Sequence, residues 1–141
     1  MILEVKIELT AAGTFFMAAL VTGVWKYRHM LNDASHLAPP YVDVAHRAAL
    51  LYTFAALFLA RMVEDSPFPR AVNVAAVGGP LLFFAIAIAT YIALGLENRT
   101  DNQFRERNFG TTWGMVGLIV AEIGGFGTLF AGFLLRAWGG W

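Results

Sequence analysis

Residues 71–96 read AVNVAAVGGPLLFFAIAIATYIALGL, a run of 26 residues without a charged side chain. As an α-helix that rises 1.5 Å per residue, this run is longer than the roughly 30 Å hydrocarbon layer of a bilayer. A strand of a membrane barrel needs only about ten residues of alternating polarity, and backbone groups in lipid must find partners within the chain. The run therefore predicts a transmembrane helix.

Three other stretches predict further membrane crossings. Residues 9–25 form an uncharged run of 17 residues, and residues 108–135 form a run of 28 that only Glu122 interrupts. Residues 48–60 give only 13, so this crossing has to begin near Tyr41 to reach a spanning length. The sequence therefore predicts an all-α integral membrane protein with a single four-helix transmembrane domain, whose spans are 6–28, 41–63, 70–96 and 108–136.

The composition agrees with a membrane protein and excludes several classes of function. Hydrophobic residues make up 58% of the chain and charged residues 14%, whereas a soluble domain carries about a quarter charged residues. Ten basic residues balance ten acidic ones, so the chain has no general attraction for nucleic acid. The absence of cysteine excludes disulfides, thiolate metal sites and thiol nucleophiles. Any chemistry must take place between helices or between subunits.

The basic residues also indicate an orientation. Four Lys and Arg side chains lie on the side of the termini, and six lie on the two longer loops. The positive-inside rule then places those loops in the cytoplasm and the termini outside. The N-terminus lacks the basic region of a signal peptide, so we expect no cleavage there. We expect the protein in a bacterial inner membrane.

His46 is the first candidate for a functional side chain, because it lies about one and a half turns into the predicted second helix. A neutral imidazole surrounded by apolar residues is a natural axial ligand for haem, and a hydrogen-bonded interfacial histidine is the alternative. Asp43 and Arg47 have i,i+4 spacing and are expected to pair with each other. A propionate group of haem is the alternative ion-pair partner of Arg47.

Other polar residues within or near the spans also need an explanation, because the membrane interior penalises them. Glu122 is either a proton-relay or ion site, or a protonated carboxyl that makes one interhelical hydrogen bond. Tyr52 and Tyr91 need a hydrogen-bond partner or a cavity, unless they simply pack in the core. His29 and His36 have no companion ligands at a metal-binding spacing and are expected to be loop histidines.

The fourth span carries small residues at four-residue spacing. Such a stripe lets helices approach closely, either within the bundle or between copies of the chain. The sets are Gly110/Gly114, Gly117/Ala121/Gly125 and Gly124/Thr128/Gly132.

Two short segments resemble a known family. Residues 43–52, DVAHRAALLY, are similar to the Ala-His-containing second helix of the styrene oxide isomerase family, which are small four-helix membrane enzymes that bind haem b. Residues 91–99, YIALGLENR, resemble the tyrosine and the Asn-Arg turn that precede the final helix of that family. The resemblance covers roughly residues 41–100.

The resemblance implies a homotrimer with haem b held between neighbouring protomers. His46 would be the axial ligand of the iron, with Arg47 beside the cofactor, and Tyr91 would position the oxygen of a small apolar epoxide. Ferric haem would act as a Lewis acid, and a 1,2-hydride shift would give an aldehyde. Two positions depart from the family: Tyr52 and Ala87 each replace an asparagine. The Tyr52 phenol can take over one amide's hydrogen bond.

Two other functions remain open at this point. The protein is alternatively a non-enzymatic membrane subunit or scaffold that packs through its Gly-rich fourth helix. A haem protein for electron transfer or sensing is the third possibility, although it would favour two axial protein ligands and only His46 lies well within a span.

Overall fold

A computed structural model of the chain describes residues 1–139. All four helices, with the π-helical turn counted as part of the fourth, are long and apolar enough to cross a membrane. Within residues 1–139 there is no β-strand. The prediction of an all-α integral membrane protein with four spanning helices is confirmed. The helices are α1 Leu3–Asn32, α2 Pro40–Glu64, α3 Arg70–Glu97 and α4 Met115–Trp138, and a π-helical turn at Gly110–Gly114 leads into α4.

Proline and asparagine mark the helix ends. Pro40 opens α2, where its fixed φ suits a helix and its missing N–H costs nothing, and Pro69 directly precedes α3. Asn98 ends α3 in the left-handed conformation, at φ 47°, and its N–H donates to the carbonyl of Leu94 at 2.9 Å. These local signals set the short α2–α3 turn and the longer α3–α4 loop.

The helices follow one another around the bundle, and α1 and α2 form its most extensive contact. Next come α2 with α3 and α3 with α4, whereas α1 and α4 do not touch within the described residues. Four fully buried alanines, Ala19 on α1 and Ala45, Ala49 and Ala56 on α2, belong to the core. Such small side chains let helix backbones approach closely, which is how membrane helices gain packing energy.

The glycines of α4 separate into an inward and an outward set. A Cβ at Gly117 would lie 3.0 Å from Phe83 of α3, and one at Gly125 would lie 2.5 Å from the carbonyl oxygen of Ala76. A Cβ at Gly124 would meet nothing within 4 Å. The Gly117/Ala121/Gly125 stripe therefore serves packing within the bundle.

We expect Gly125→Ala to destabilise the protein and Gly124→Ala to leave its stability nearly unchanged. The new methyl at position 125 would press on the backbone of Ala76 and on the ring of Pro80, at 2.7 Å. Overpacking of this kind costs about 1–3 kcal/mol. Thermal unfolding of the two variants in the same detergent would test this, and equal midpoints would contradict the packing of α4 described above.

Candidate functional site

His46 lies on α2 and faces α1. Its Nδ1 lies 2.8 Å from the carbonyl oxygen of Ala19, and because a carbonyl only accepts, Nδ1 carries the proton and donates. The ring also lies against Gly23, where a Cβ would stand 2.9 Å from Cε1. When the ring is neutral, Nε2 carries the free lone pair, and no hydrogen bond to Nε2 is present within the described residues.

Charged side chains next to His46 pair with one another. Asp43 accepts from Arg47 at 2.9 Å, as its i,i+4 spacing predicts, and also from Lys26 of α1 at 2.5 Å. The Lys26 contact ties the beginning of α2 to α1 close to the histidine. Arg47 keeps 64% of its side chain exposed, so it retains donors for a further anionic partner.

Tyr91 lies in a different part of the molecule. It lines a cavity of about 750 Å³ between the second half of α3, the loop that follows it and the π-helical turn. Its ring stacks on Tyr41 with the centroids 6.1 Å apart, and the Tyr41 hydroxyl accepts the backbone N–H of Gln103 at 2.5 Å. Ala87, one turn before Tyr91, lines the same cavity.

The cavity has an apolar end and a charged end. Phe83, Ile86 and Leu118 contribute apolar side chains from α3 and α4, and Arg99 and Glu106 are among the charged side chains from the loop. A ligand with an apolar body and one polar atom fits such a division.

Tyr52 and Glu122 lie on the inward side of α2 and α4. The Tyr52 ring stacks closely on Phe84 of α3, with the centroids 4.3 Å apart. Glu122 buries one carboxyl oxygen, Oε1, without a hydrogen-bond partner within residues 1–139. Neither Tyr52 nor Glu122 lines the cavity that holds Tyr91.

The structure thus divides the predicted site residues into two groups. His46, Asp43 and Arg47 belong to the α1–α2 contact, whereas Tyr52, Tyr91 and Glu122 belong to the region between α2, α3 and α4. His46 does not line the cavity that holds Tyr91. Within one chain, the predicted ligand and the predicted substrate-positioning phenol are therefore not brought together.

The remaining histidines lie in or beside the α1–α2 connection. His36 has φ 55° and its Nδ1 contacts the carbonyl oxygen of Met30 at 3.1 Å, and His29 lies beside Trp25 in the last turn of α1. In the same connection, hydrogen bonds from the Ser35 hydroxyl and backbone N–H lower the pKa of Asp33. No group of three or more His, Asp or Glu side chains that could hold a metal ion occurs within the described residues.

Sequence reasoning missed two buried acids on α1. Glu8 is fully buried and Glu4 is 4% exposed, although both precede the uncharged run of the first span. Their i,i+4 spacing on the same face as Val5 and Ala12 is the signal that could have found them.

We expect Tyr41→Phe to loosen the loop over the cavity, because it removes the acceptor of the Gln103 N–H. A hydrogen bond of this kind contributes about 1 kcal/mol. Amide hydrogen exchange at Gln103 should become several-fold faster, while Tyr27→Phe, at an exposed tyrosine, should leave that amide unchanged. Equal exchange in both variants would mean that the Tyr41 hydroxyl does not hold the loop.

Comparison of the chain with protein-family models, with characterised proteins and with solved structures gave no match. The two groups of site residues, one around the His46 imidazole and one around the Tyr91 cavity, are therefore the basis on which a function is proposed.

Proposed function

We propose that the protein is a haem b-dependent isomerase of a bacterial inner membrane, which opens a small apolar epoxide to a carbonyl compound. The observation that carries the proposal is the orientation of the His46 ring, with Nδ1 donating to Ala19 and Nε2 left without a partner. The family resemblance of residues 41–100 supplies the cofactor and the class of reaction.

The residues around His46 fit an axial ligand. Histidines that bind metals usually donate their second ring nitrogen to a backbone carbonyl or a carboxylate, which fixes the tautomer and the ring plane. The Ala19 carbonyl does this for His46, and Gly23 provides space for the ring because it has no Cβ. Arg47 is exposed one residue further on and has the charge to bind a propionate.

Two copies of the chain are needed to complete the proposed site. Since His46 and Tyr91 lie in different inter-helical spaces, one chain cannot present both to the same substrate. A neighbouring copy in a homotrimer would supply the second group. The exposed apolar faces of the helices, including Leu51 and Phe54 on α2, leave large surfaces for contact with lipid or with such neighbours.

The side chains around the cavity have the properties that this reaction requires. Ferric haem, when bound, supplies a Lewis acid for the epoxide oxygen. The Tyr91 phenol can donate to that oxygen and orient it. Tyr52, the second predicted phenol, packs on Phe84 and does not line this cavity. Phe83, Ile86 and Leu118 surround the carbon skeleton and exclude water, which would otherwise trap a cationic centre as a diol.

A non-enzymatic membrane subunit is the second candidate, and the outward face of α4 favours it. Gly124 and Gly127 lie on this face with nothing within 4 Å of a Cβ, and Ile123 is 70% exposed. A partner helix could approach closely there. This candidate predicts colourless protein that purifies with a larger complex. The electron-transfer alternative gains no second axial ligand, because His29 and His36 lie at the α1–α2 connection.

We expect protein purified after expression with added haem precursor to show a Soret band and to convert an aryl epoxide to the aldehyde without added cofactor. His46→Ala should lose the band and the activity together, because it removes the proposed iron ligand. His29→Ala, the same change at a histidine near the loop, should retain both. Colourless wild-type protein, or His46→Ala protein that keeps haem and activity, would refute the proposal.

We expect Gly23→Ala to weaken haem binding while Gly13→Ala does not. The new methyl at position 23 would displace the His46 ring, whereas a Cβ at position 13 meets nothing within 4 Å. Changes that disturb the support of a metal ligand typically cost about 10- to 100-fold in affinity. Haem titration of the two apoproteins would measure the difference, and both variants should gain helix propensity equally. Equal haem affinities of the two variants would mean that Gly23 does not support the His46 ring.

A further inference from the structure

Glu8 is fully buried on α1, and both of its carboxyl oxygens lack a hydrogen-bond partner within residues 1–139. It lies on the face of α1 that packs into the bundle, with Val5 and Ala12 as buried neighbours along the helix. An ionised carboxylate without a partner in such surroundings is far less stable than a neutral carboxylic acid. The geometry therefore favours a Glu8 that holds a proton.

The arginines of the neighbouring helices α2 and α3 all pair with other acids. On α3, Arg70 lies with Nε 3.5 Å from Glu4 Oε1. On α2, Arg61 pairs with Glu64 at 3.4 Å and with Asp65 at 2.5 Å at the exposed end of the helix. No cation within the described residues forms an ion pair with Glu8. α4 does not touch α1 within the same residues.

Glu4 connects Glu8 to the aqueous edge of the bundle. It lies one helical turn closer to the N-terminus on the same buried face, and its partner Arg70 keeps 70% of its side chain exposed. Residues four apart on a helix have Cβ atoms about 5–6 Å apart, a gap that side-chain rotation or one water can bridge. A line of polar groups thus leads from exposed Arg70 through Glu4 to Glu8.

We propose that Glu8 is a proton-binding site of the bundle and that Glu4 exchanges its proton with the water on the side of the chain termini. A hydronium ion at the Arg70 edge gives a proton to the Glu4 carboxylate and leaves as water. The Glu4 O–H bond then breaks as an O–H bond forms on the Glu8 carboxylate, and Glu4 returns to its ion pair with Arg70. The reverse sequence releases the proton, and no electrons are transferred.

Infrared spectroscopy of the full-length protein in lipid vesicles tests the proposal. Wild-type protein should show the C=O stretching band of a protonated carboxylic acid, and the band should shift in D₂O as the proton exchanges. Glu8→Gln, which keeps the shape of the neutral acid, should lose this band. Glu64→Gln, the same change at the exposed end of α2, should keep it. Glu122→Gln should also keep it, although Glu122 can contribute a separate band of its own.

The rate at which the Glu8 band shifts in D₂O tests the role of Glu4. Glu4→Gln should keep the Glu8 band but slow its exchange in D₂O by on the order of a hundredfold, because a positioned proton-transfer group is lost. Glu97→Gln, at the exposed end of α3, should exchange at the wild-type rate. If Glu8→Gln fails to fold, Glu8→Asp replaces it and should shift the band without removing it.

Three results would overturn the proposal. They are a wild-type spectrum without a carboxylic acid band, a band that Glu8→Gln and Glu8→Asp leave unchanged, and wild-type exchange in Glu4→Gln. None of these measurements depends on haem, so their outcome is independent of the proposed isomerase.

Discussion

The fold depends on one constraint, which is that every polar group in the hydrocarbon layer must find a partner inside the chain. The backbone meets it by forming four long helices. Four threonine hydroxyls meet it locally, because Thr14, Thr22, Thr53 and Thr128 each donate to the carbonyl oxygen four residues earlier. Among the fully buried side-chain oxygens and nitrogens of residues 1–139, the constraint is not met at Glu8 and at one oxygen of Glu122, and these unsatisfied groups require a functional explanation.

The same constraint gives His46 its significance. A helix can satisfy its own hydroxyl groups, but the His46 imidazole near the beginning of α2 has to reach another helix. Its contact with Ala19 depends on the small residues between α1 and α2. Gly23 admits the ring, and the Lys26–Asp43 ion pair holds the two helices together one turn away. The packing of α1 on α2 therefore sets the orientation of the His46 ring, and with it the chemistry available at Nε2.

The fold could be predicted from sequence to a greater extent than the site. The uncharged runs and the positions of the prolines predict the four helices. This works because the length needed to cross a bilayer and the free-energy cost of placing a charge in it apply to each segment separately. The Asp43–Arg47 pair followed from spacing alone, but its second partner, Lys26, lies on another helix and no local pattern indicates it. Glu8 directly precedes the uncharged run 9–25, and a one-dimensional run cannot show which face of the helix a residue occupies. The separation of His46 from Tyr91 depends on the order in which the helices pack, which the sequence does not state.

α1 links the two proposed sites without joining them. Glu8 and Ala19 are eleven residues apart, which is roughly 16 Å along a helix, so the proton site and the histidine contact lie at different depths of the bilayer. Because α1 does not touch α4 within the described residues, the Tyr91 cavity has no direct contact with the helix that carries Glu8. A proton bound at Glu8 can then influence His46 only through the packing of α1 on α2. Coupling between Glu8 and His46 therefore requires that both sites change the position of the alanine-rich contact between α1 and α2. Without such a change, the chemistry of each site is independent of the other.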